Sequence, residues 1–305
     1  MVAIEIDHIS KNYGEVQALK NISLKVDQSE LFGLIGADGA GKSTLFDILV
    51  TLSLANKGTA KVGGLDVVKD YRQIRKTIGY MPGRFSLYQD LTVYENLEFF
   101  ATIFGGTIDD NYDLIRDIWI QIEPFRERPA GKLSGGMKQK LALCCALVHK
   151  PAILFLDEPT TGVDPVSRKE FWGMLKSLKE KGITIMVSTP YMDEALRCER
   201  IAFIQNGHIM AIDTPVNITK SFSHPLFEVR SSNLHHLLLD LRNFKDTYSC
   251  YAFGQTAHLA VTSGSMNEQG IRDFLTKLGH TEIKINTISA GIEDCFMDLM
   301  QKTEA

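Results

Sequence analysis

The chain opens on an alternation: VAIEI, residues 2–6, sets Val2, Ile4 and Ile6 on one face, the period of a half-buried strand. LKV and LFGLIG follow with turn residues between them, so residues 1–35 read as strands. After a glycine-rich loop the period lengthens, and TLFDILVTL repeats its apolar positions at helical spacing. Residues 57–82 hold short strands, GTAKVGGLDV and IGYMP, with a helix expected through the basic run Lys69, Arg72, Arg75 and Lys76, which reads as a solvated face. From about Leu91 to Val148 three stretches are helical, VYENLEFFATIF, YDLIRDIWIQI and MKQKLALCCALV, broken at Pro124 and Pro129. AILFLDEP is then nearly all apolar, as befits a strand covered on both faces of a parallel sheet. ITIMVST repeats that signal after the helix FWGMLKSLKEKG, which makes a βαβ unit. IAFIQNGHIMAI reads as a hairpin with Asn206-Gly207 as its tight turn.

Between Pro215 and Pro225 the texture changes, and SFSHP reads as a linker. Beyond it FEVRS, LHHLLLDLRNF, YSCYAF, HLAVTS, IRDFLTKLG and EIKINTI run β-α-β-β-α-β, the order of a split βαβ domain, and EDCFMDLMQ is an amphipathic helix. The expected division is 1–218 and 222–305. A length of 305 residues suits one large domain plus an appendage. With 44 % hydrophobic and 23 % charged residues the composition is that of a globular protein, not a disordered one. The net charge of −4 argues against a nucleic-acid partner, which usually demands a basic surface. Five cysteines without a CxxC pair point to reduced thiols and the cytosol. The start MVAIEIDHIS lacks the basic and apolar regions of a signal peptide. The longest nearly apolar run, Leu141 to Val148, falls far short of the ~20 residues that span a bilayer, so no membrane crossing is expected.

GADGAGKST, residues 36–44, fits the pattern G-x-x-x-x-G-K-[ST], follows an expected strand and opens an expected helix. The residue types suit a phosphate cradle. Gly36, Gly39 and Gly41 let the backbone wrap with its N–H groups inward, Ala40 and Thr44 complete the turn, and the helix adds its positive end. Lys42 is placed to bridge the β- and γ-phosphates of a nucleotide, and Ser43 to ligate Mg²⁺. Asp38 would repel phosphates unless it points out of the cradle, and that is the expectation. ILFLDEP, residues 153–159, delivers Asp157 and Glu158 at the carboxyl end of a buried strand. Asp157 can hold the Mg²⁺ shell through water, and Glu158 can take a proton from an attacking water. LSGGMKQK, residues 133–140, sets Ser134, Gly135 and Gly136 at the start of another helix. Alone, that segment is equally a plain helix cap.

In order and spacing, these three motifs together resemble ATP-binding-cassette (ABC) proteins, specifically the nucleotide-binding subunits of drug-export transporters, over residues 2 to about 215. The resemblance implies an α/β fold: a RecA-like P-loop NTPase core with an antiparallel β subdomain, an inserted helical subdomain at about 88–148, and a small α+β C-terminal domain. It implies an ATPase that uses ATP and Mg²⁺, with Glu158 and Lys42 as catalytic groups. Tyr13 would stack on adenine, where without the resemblance it is a strand-edge tyrosine. Ser134, Gly135 and Gly136 would contact the ATP of a partner cassette in a homodimer or heterodimer, with Asp164 in the loop that crosses the dimer interface. The helical block would face an integral membrane permease carried on a separate chain. The location implied is peripheral, on the cytoplasmic side of the cell membrane.

Two positions depart from the family pattern. IGYMP is usually followed by Gln, which touches Mg²⁺ and the attacking water, and here by Gly83. After VST the family usually has His, a γ-phosphate donor, and here Pro190. Losing one oriented transition-state donor typically costs about 10²–10³ in rate, so tight binding with slow turnover is expected. Gln89 and Tyr191 are candidates to replace a lost contact. A regulatory module with little hydrolysis is the alternative.

Overall fold

A computed structural model describes residues 1–262 and 267–304; Ser263, at the end of the expected HLAVTS strand, lies outside them. The chain separates into two compact units, Met1–Pro215 and Val216–Ala305.

The first unit begins with two long strands, Val2–Tyr13 (β1) and Val16–Asp27 (β2), joined by a turn in which Gly14 has φ 58°. Leu31–Ile35 (β3) runs into helix Lys42–Leu49 (α1), and Lys57–Val62 (β4), Leu65–Asp66 (β5), helix Tyr71–Thr77 (α2) and Ile78–Met81 (β6) follow. Three helices come next, Val93–Ile103 (α3), Tyr112–Ile122 (α4) and Gly135–Leu147 (α5). The unit closes with Ile153–Asp157 (β7), helix Pro165–Glu180 (α6), Thr184–Thr189 (β8), Arg200–Gln205 (β9) and His208–Asp213 (β10).

These strands form an antiparallel sheet, β2-β1-β4-β5, and a six-stranded sheet, β10-β9-β3-β8-β7-β6, parallel except at β10. All of β3, β7 and β8 is buried, which explains their unbroken apolar runs. Helix α1 lies between the sheets: Leu45, Phe46 and Ile48 share one core with Ile4, Ile6 and Val26 of one sheet and Phe32, Phe155 and Ile204 of the other. The motif-bearing turns after β3 and β7 therefore leave the same edge of a rigid sheet.

Two of the three inserted helices, α3 and α5, start on a readable signal, as does α6. Thr92 caps α3 in a full capping box with Glu95, and Ser134 caps α5 by accepting the Met137 N–H at 3.4 Å. Asp164 caps α6, its Oδ1 accepting from Val166 and Ser167 at 3.1 and 3.0 Å, with Pro165 in the first turn. The helix expected from FWGMLKSLKEKG thus begins six residues earlier, because an N-cap and a proline start it where no apolar period yet shows.

The second unit contains helix Pro215–Lys220 (α7), which straddles the division, then Leu226–Arg230 (β11), Leu234–Arg242 (α8), Thr247–Phe253 (β12), Thr256–Val261 (β13), Glu268–Lys277 (α9), Lys284–Ile288 (β14) and Ile292–Glu304 (α10). The sheet order β12-β13-β11-β14, all pairs antiparallel, is that of a split βαβ domain. Its core joins Phe227, Val229 and Leu259 with Leu237 and Leu241 of α8 and Ile271 and Leu275 of α9. SFSHP, the expected linker, carries no helix or strand, and the six residues before it form α7, with proline at its first position as a helix-start signal. All five cysteines are free and buried.

Candidate nucleotide-binding site

Gly36 leaves β3 where a side chain could not follow, since a Cβ there would stand 2.2 Å from the Ile204 carbonyl oxygen. Gly39 and Gly41 have φ of 78° and 107°, in the left-handed region that glycine enters without strain. The Asn206-Gly207 turn (φ 48° and 76°) braces the loop from outside: the Gly207 N–H donates to Ala40 O at 3.0 Å, and Gly207 O accepts from Lys20 N at 2.8 Å. That brace is a contribution the sequence pattern did not reveal, because the dipeptide announces only its own hairpin.

Among the described residues the backbone N–H groups of Gly39, Gly41, Lys42, Ser43 and Thr44 have no hydrogen-bond partner. Such donors at a helix start, next to a loop that only glycine can trace, form an anion cradle. They border a cavity of about 690 Å³ that Val16, Gln17, Ala18, Lys20, Lys42 and Glu158 also line. Tyr13 stands at the β1–β2 turn, half exposed, paired in register with the cavity residue Val16 and with Lys11 Nζ 5.0 Å from its ring centre.

Lys42 is only 3 % exposed. Its ammonium donates to the carbonyls of Gly36 (2.9 Å) and Ala37 (3.0 Å) and lies 3.0 Å from Glu158 Oε1, so the buried charge is fully partnered. Asp38 is 89 % exposed and 4.0 Å from the same ammonium, a surface contact of little energetic weight.

Asp157 ends β7, is buried, and accepts the Ser188 hydroxyl on Oδ1. Glu158 has φ 48°, uncommon for a residue with a side chain, and its N–H donates to both the carbonyl and the hydroxyl of Ser188. Burial, and then the charge of Asp157, push the Asp47 carboxyl up. The Tyr80 phenol also rises, through burial first and then Asp157 and Asp47. Asp157 and Asp47 thus bring two carboxylates near the end of β7, and a divalent cation is a natural complement to such a pair. Groups of three or more acidic, histidine or cysteine ligands are absent among the described residues. Ser43 and Asp157 thus fit Mg²⁺ that keeps water and phosphate as its other ligands, the usual habit of that ion. Asp47 was missed in the sequence, although it stands four residues after Ser43, on the same helix face.

A family model described as ABC transporter matches residues 19–161. The linearmycin resistance ATP-binding protein LnrL of Bacillus subtilis is 35 % identical over 219 residues, covering 70 % of each chain. The chain belongs to the ABC transporter family. A probable multidrug ABC transporter ATP-binding protein of Escherichia coli, YbhF, is 41 % identical over 214 residues; the match takes in 70 % of this chain and 37 % of that one. Among solved structures, the dimeric post-hydrolysis cassette MJ0796, bound to ADP and Pi, superposes with a TM-score of 0.62 at 26 % identity, covering 69 % of this chain and 98 % of that one. An ATP-binding subunit of an ABC transporter gives 0.66 at 27 % identity, over 72 % and 93 %.

In this cassette Ser134, Gly135 and Gly136 do not line the cavity of the phosphate loop. They pack instead against the segment after Glu158: a Cβ at Gly136 would meet Ser167 Oγ at 2.7 Å, and one at Gly135 would meet Gly162 O at 3.4 Å. Gly83 stands beside Asp157, where a Cβ would lie 3.2 Å from its carbonyl oxygen and 3.7 Å from Oδ2. Pro190 follows β8, and the ring of Tyr191 lies under the Arg168 guanidinium at 4.2 Å. Gln89 is outside the cavity too, its carbonyl accepting from Gly131 N at 2.9 Å. Beneath this loop Glu194, fully buried, accepts the hydroxyls of Thr160 and Thr189 and lies 3.6 Å from Arg168 Nε. This network ties the turn after β7 to the turn after β8. No spacing rule in the sequence announces it. Among the described residues no helix is long and apolar enough to cross a membrane.

Proposed function

We propose that the chain binds Mg²⁺–ATP in the phosphate-loop cavity, hydrolyses it, and so powers a separate membrane-spanning subunit. The observation that carries this reading is the convergence, on one sheet edge, of five free N–H donors, the buried Lys42 ammonium and the pair Asp157 and Glu158. The N–H groups of Gly39 to Thr44 would receive the phosphates, and Lys42 would leave its carbonyls for the β- and γ-oxygens. Tyr13 would cover the adenine beside Val16. Ser43 directly, and Asp157 through water, would hold Mg²⁺, which supplies charge neutralisation between the phosphates. Glu158, freed from Lys42, would accept the proton of the attacking water.

Ser134, Gly135 and Gly136 lie outside their own chain's cavity, which supports their serving the cavity of a second cassette, identical or not. Two ATP molecules would then bridge the pair, and hydrolysis would remove the bridge. The named relatives, a linearmycin resistance protein and Nod factor export proteins, support an exporter at the cytoplasmic face of the cell membrane. The three-helix block of residues 88–148 would meet the membrane subunit, and the unit after Pro215 would serve as an accessory domain. Phosphate release by the purified chain with its membrane subunit, with and without Glu158→Gln, tests the reading: equal rates would overturn hydrolysis by this site. Failure of the Glu158→Gln form to dimerise with ATP and Mg²⁺ would overturn the shared-nucleotide arrangement.

A second reading, a nucleotide-gated module with little turnover, is favoured by Gly83 and Pro190. Gly83 offers no side chain toward Asp157, Pro190 has no N–H, and the Tyr191 ring is engaged by Arg168.

A further inference from the structure

Strand β2 alternates as it passes the phosphate loop. Leu19 is fully buried in the core between the sheets, while its neighbours Ala18 and Lys20 line the cavity of about 690 Å³ that the loop borders. The backbone holds this stretch against the loop. The Lys20 N–H donates to the Gly207 carbonyl at 2.8 Å, and the Gly207 N–H in turn donates to Ala40 O at 3.0 Å. A Cβ at Gly41 would stand 2.7 Å from Ala18 O, so strand and loop run in close contact here.

Four ionisable side chains line the cavity: Lys20, Asp38, Lys42 and Glu158. Lys42 is matched by Glu158 at 3.0 Å, with Asp38 4.0 Å away. The Lys20 ammonium has no ion-pair or hydrogen-bond partner among the described residues, although the side chain is partly buried. An ammonium withdrawn from water without a counter-charge carries a cost that an anion relieves. The five unpaired N–H donors of the loop ask for the same kind of guest. A polyphosphate keeps negative charge even with Mg²⁺ bound, so Lys42 alone leaves part of that charge unanswered.

Position along β2 decides which part of a nucleotide Lys20 would meet. At about 3.3 Å per residue, Lys20 stands ~13 Å along the strand from Val16, beside which Tyr13 would cover the adenine. Its backbone bond to Gly207, the residue that braces Ala40, sets it at the phosphate loop and not at the base. We propose that Lys20 is a second cation of the nucleotide site, whose ammonium meets the phosphates from the β2 side while Lys42 meets them from α1. This rests on the reading of the cavity as the ATP site. It adds to that reading a charge contact from outside the phosphate-loop motif, on a strand whose sequence carries no nucleotide signature.

The test is calorimetric titration of the purified chain with Mg²⁺–ATP, for the parent, Lys20→Gln and Lys20→Arg, at low and at high salt. Lys20→Gln should bind about tenfold more weakly at low salt, the weight of one charge-assisted contact at a partly exposed position. Lys20→Arg should keep most of the parent's affinity, because it keeps the charge. The gap between parent and Lys20→Gln should narrow as salt is added, since the contact is screened. If the parent binds and Lys20→Gln binds equally well, the contact is overturned and the site reading stands. A loss that Lys20→Arg does not recover, or that salt leaves unchanged, would overturn a contact by charge. A parent that binds no nucleotide would overturn the site reading and this inference with it. The side chain is partly exposed, so the variants should fold, and thermal melting checks that they do.

Discussion

Lys42 Nζ lies 3.0 Å from Glu158 Oε1, an ion pair that joins the start of α1 to the residue after β7. In the proposed mechanism the ammonium that would bind phosphate and the carboxylate that would activate water thus hold each other, and neither could act without releasing the other. Nucleotide entering the cradle would exchange the Lys42 contacts for phosphate oxygens and free Glu158. Glu158→Gln should lower phosphate release by about 10²–10⁴ while leaving ATP affinity intact or slightly higher, because the tether on Lys42 weakens. Single-turnover hydrolysis together with nucleotide titration would separate the two effects.

Lys42→Ala should damage both folding and binding. Removal strands the carbonyls of Gly36 and Ala37 and leaves Glu158 without its counter-charge, at a cost of about 1–3 kcal/mol in stability. Binding should fall far more, since the cradle keeps its N–H donors but loses its charge. Urea unfolding with and without ATP would show the parent stabilised by nucleotide and the variant not.

Glu194 anchors the underside of the site. Its oxygens accept from Thr160 and Thr189, and Arg168 stands 3.6 Å away, so Glu194→Ala leaves two buried hydroxyls without their acceptor and the guanidinium with only Asp193, 3.9 Å away, as counter-charge. A loss of about 3–5 kcal/mol is expected. Glu194→Gln, which keeps an acceptor for one hydroxyl, should lose clearly less. Denaturant midpoints of the two variants give the comparison.

Asp47 yields a pH signature. Burial first, and the Asp157 charge second, raise its folded-state pKa above the ordinary 3.8. Between that value and the raised one the folded chain binds more protons than the unfolded chain, so stability falls as pH climbs through the window and stays lower above it. Asp47→Asn removes the titration. The variant should melt higher than the parent at pH 7, and the gap should close as pH falls below about 4. Melting temperatures across that range, without nucleotide, provide the check.

What could be read in the sequence, and what could not, divides along physical lines. The phosphate loop was legible because its glycines answer local demands of backbone, at Gly39 and Gly41 a positive φ and at Gly36 a contact with Ile204 O. The strands β3, β7 and β8 were legible because burial on both faces leaves little besides apolar residues. Relations across the fold were not. The Gly207 brace on Ala40, the Glu194 network and the Asp47–Asp157 field each join residues far apart in the chain, and no period or spacing records such a meeting. One boundary slipped where a cap and a proline, not an apolar period, set the helix, at Asp164 and Pro165.

Gly83 and Pro190 offer the most direct test of slow turnover. At Gly83 a Cβ would meet Asp157 O at 3.2 Å, so a glutamine fits only if the turn yields a few tenths of an ångström, which a Pro-Gly turn on the surface can do. Its amide would then lie beside Asp157, the carboxylate proposed to hold Mg²⁺. Histidine in place of Pro190 restores an N–H donor at the end of β8, next to the buried Thr189. Each oriented donor regained should raise turnover by about 10–10³, and the pair together more than either alone, since both act on one transition state. The combined variant Gly83→Gln, Pro190→His should therefore release phosphate faster with little change in ATP affinity. Were its kcat no higher than the parent's, the missing side chains would not be what limits this site, and the slow step would have to lie in closure of the two cassettes.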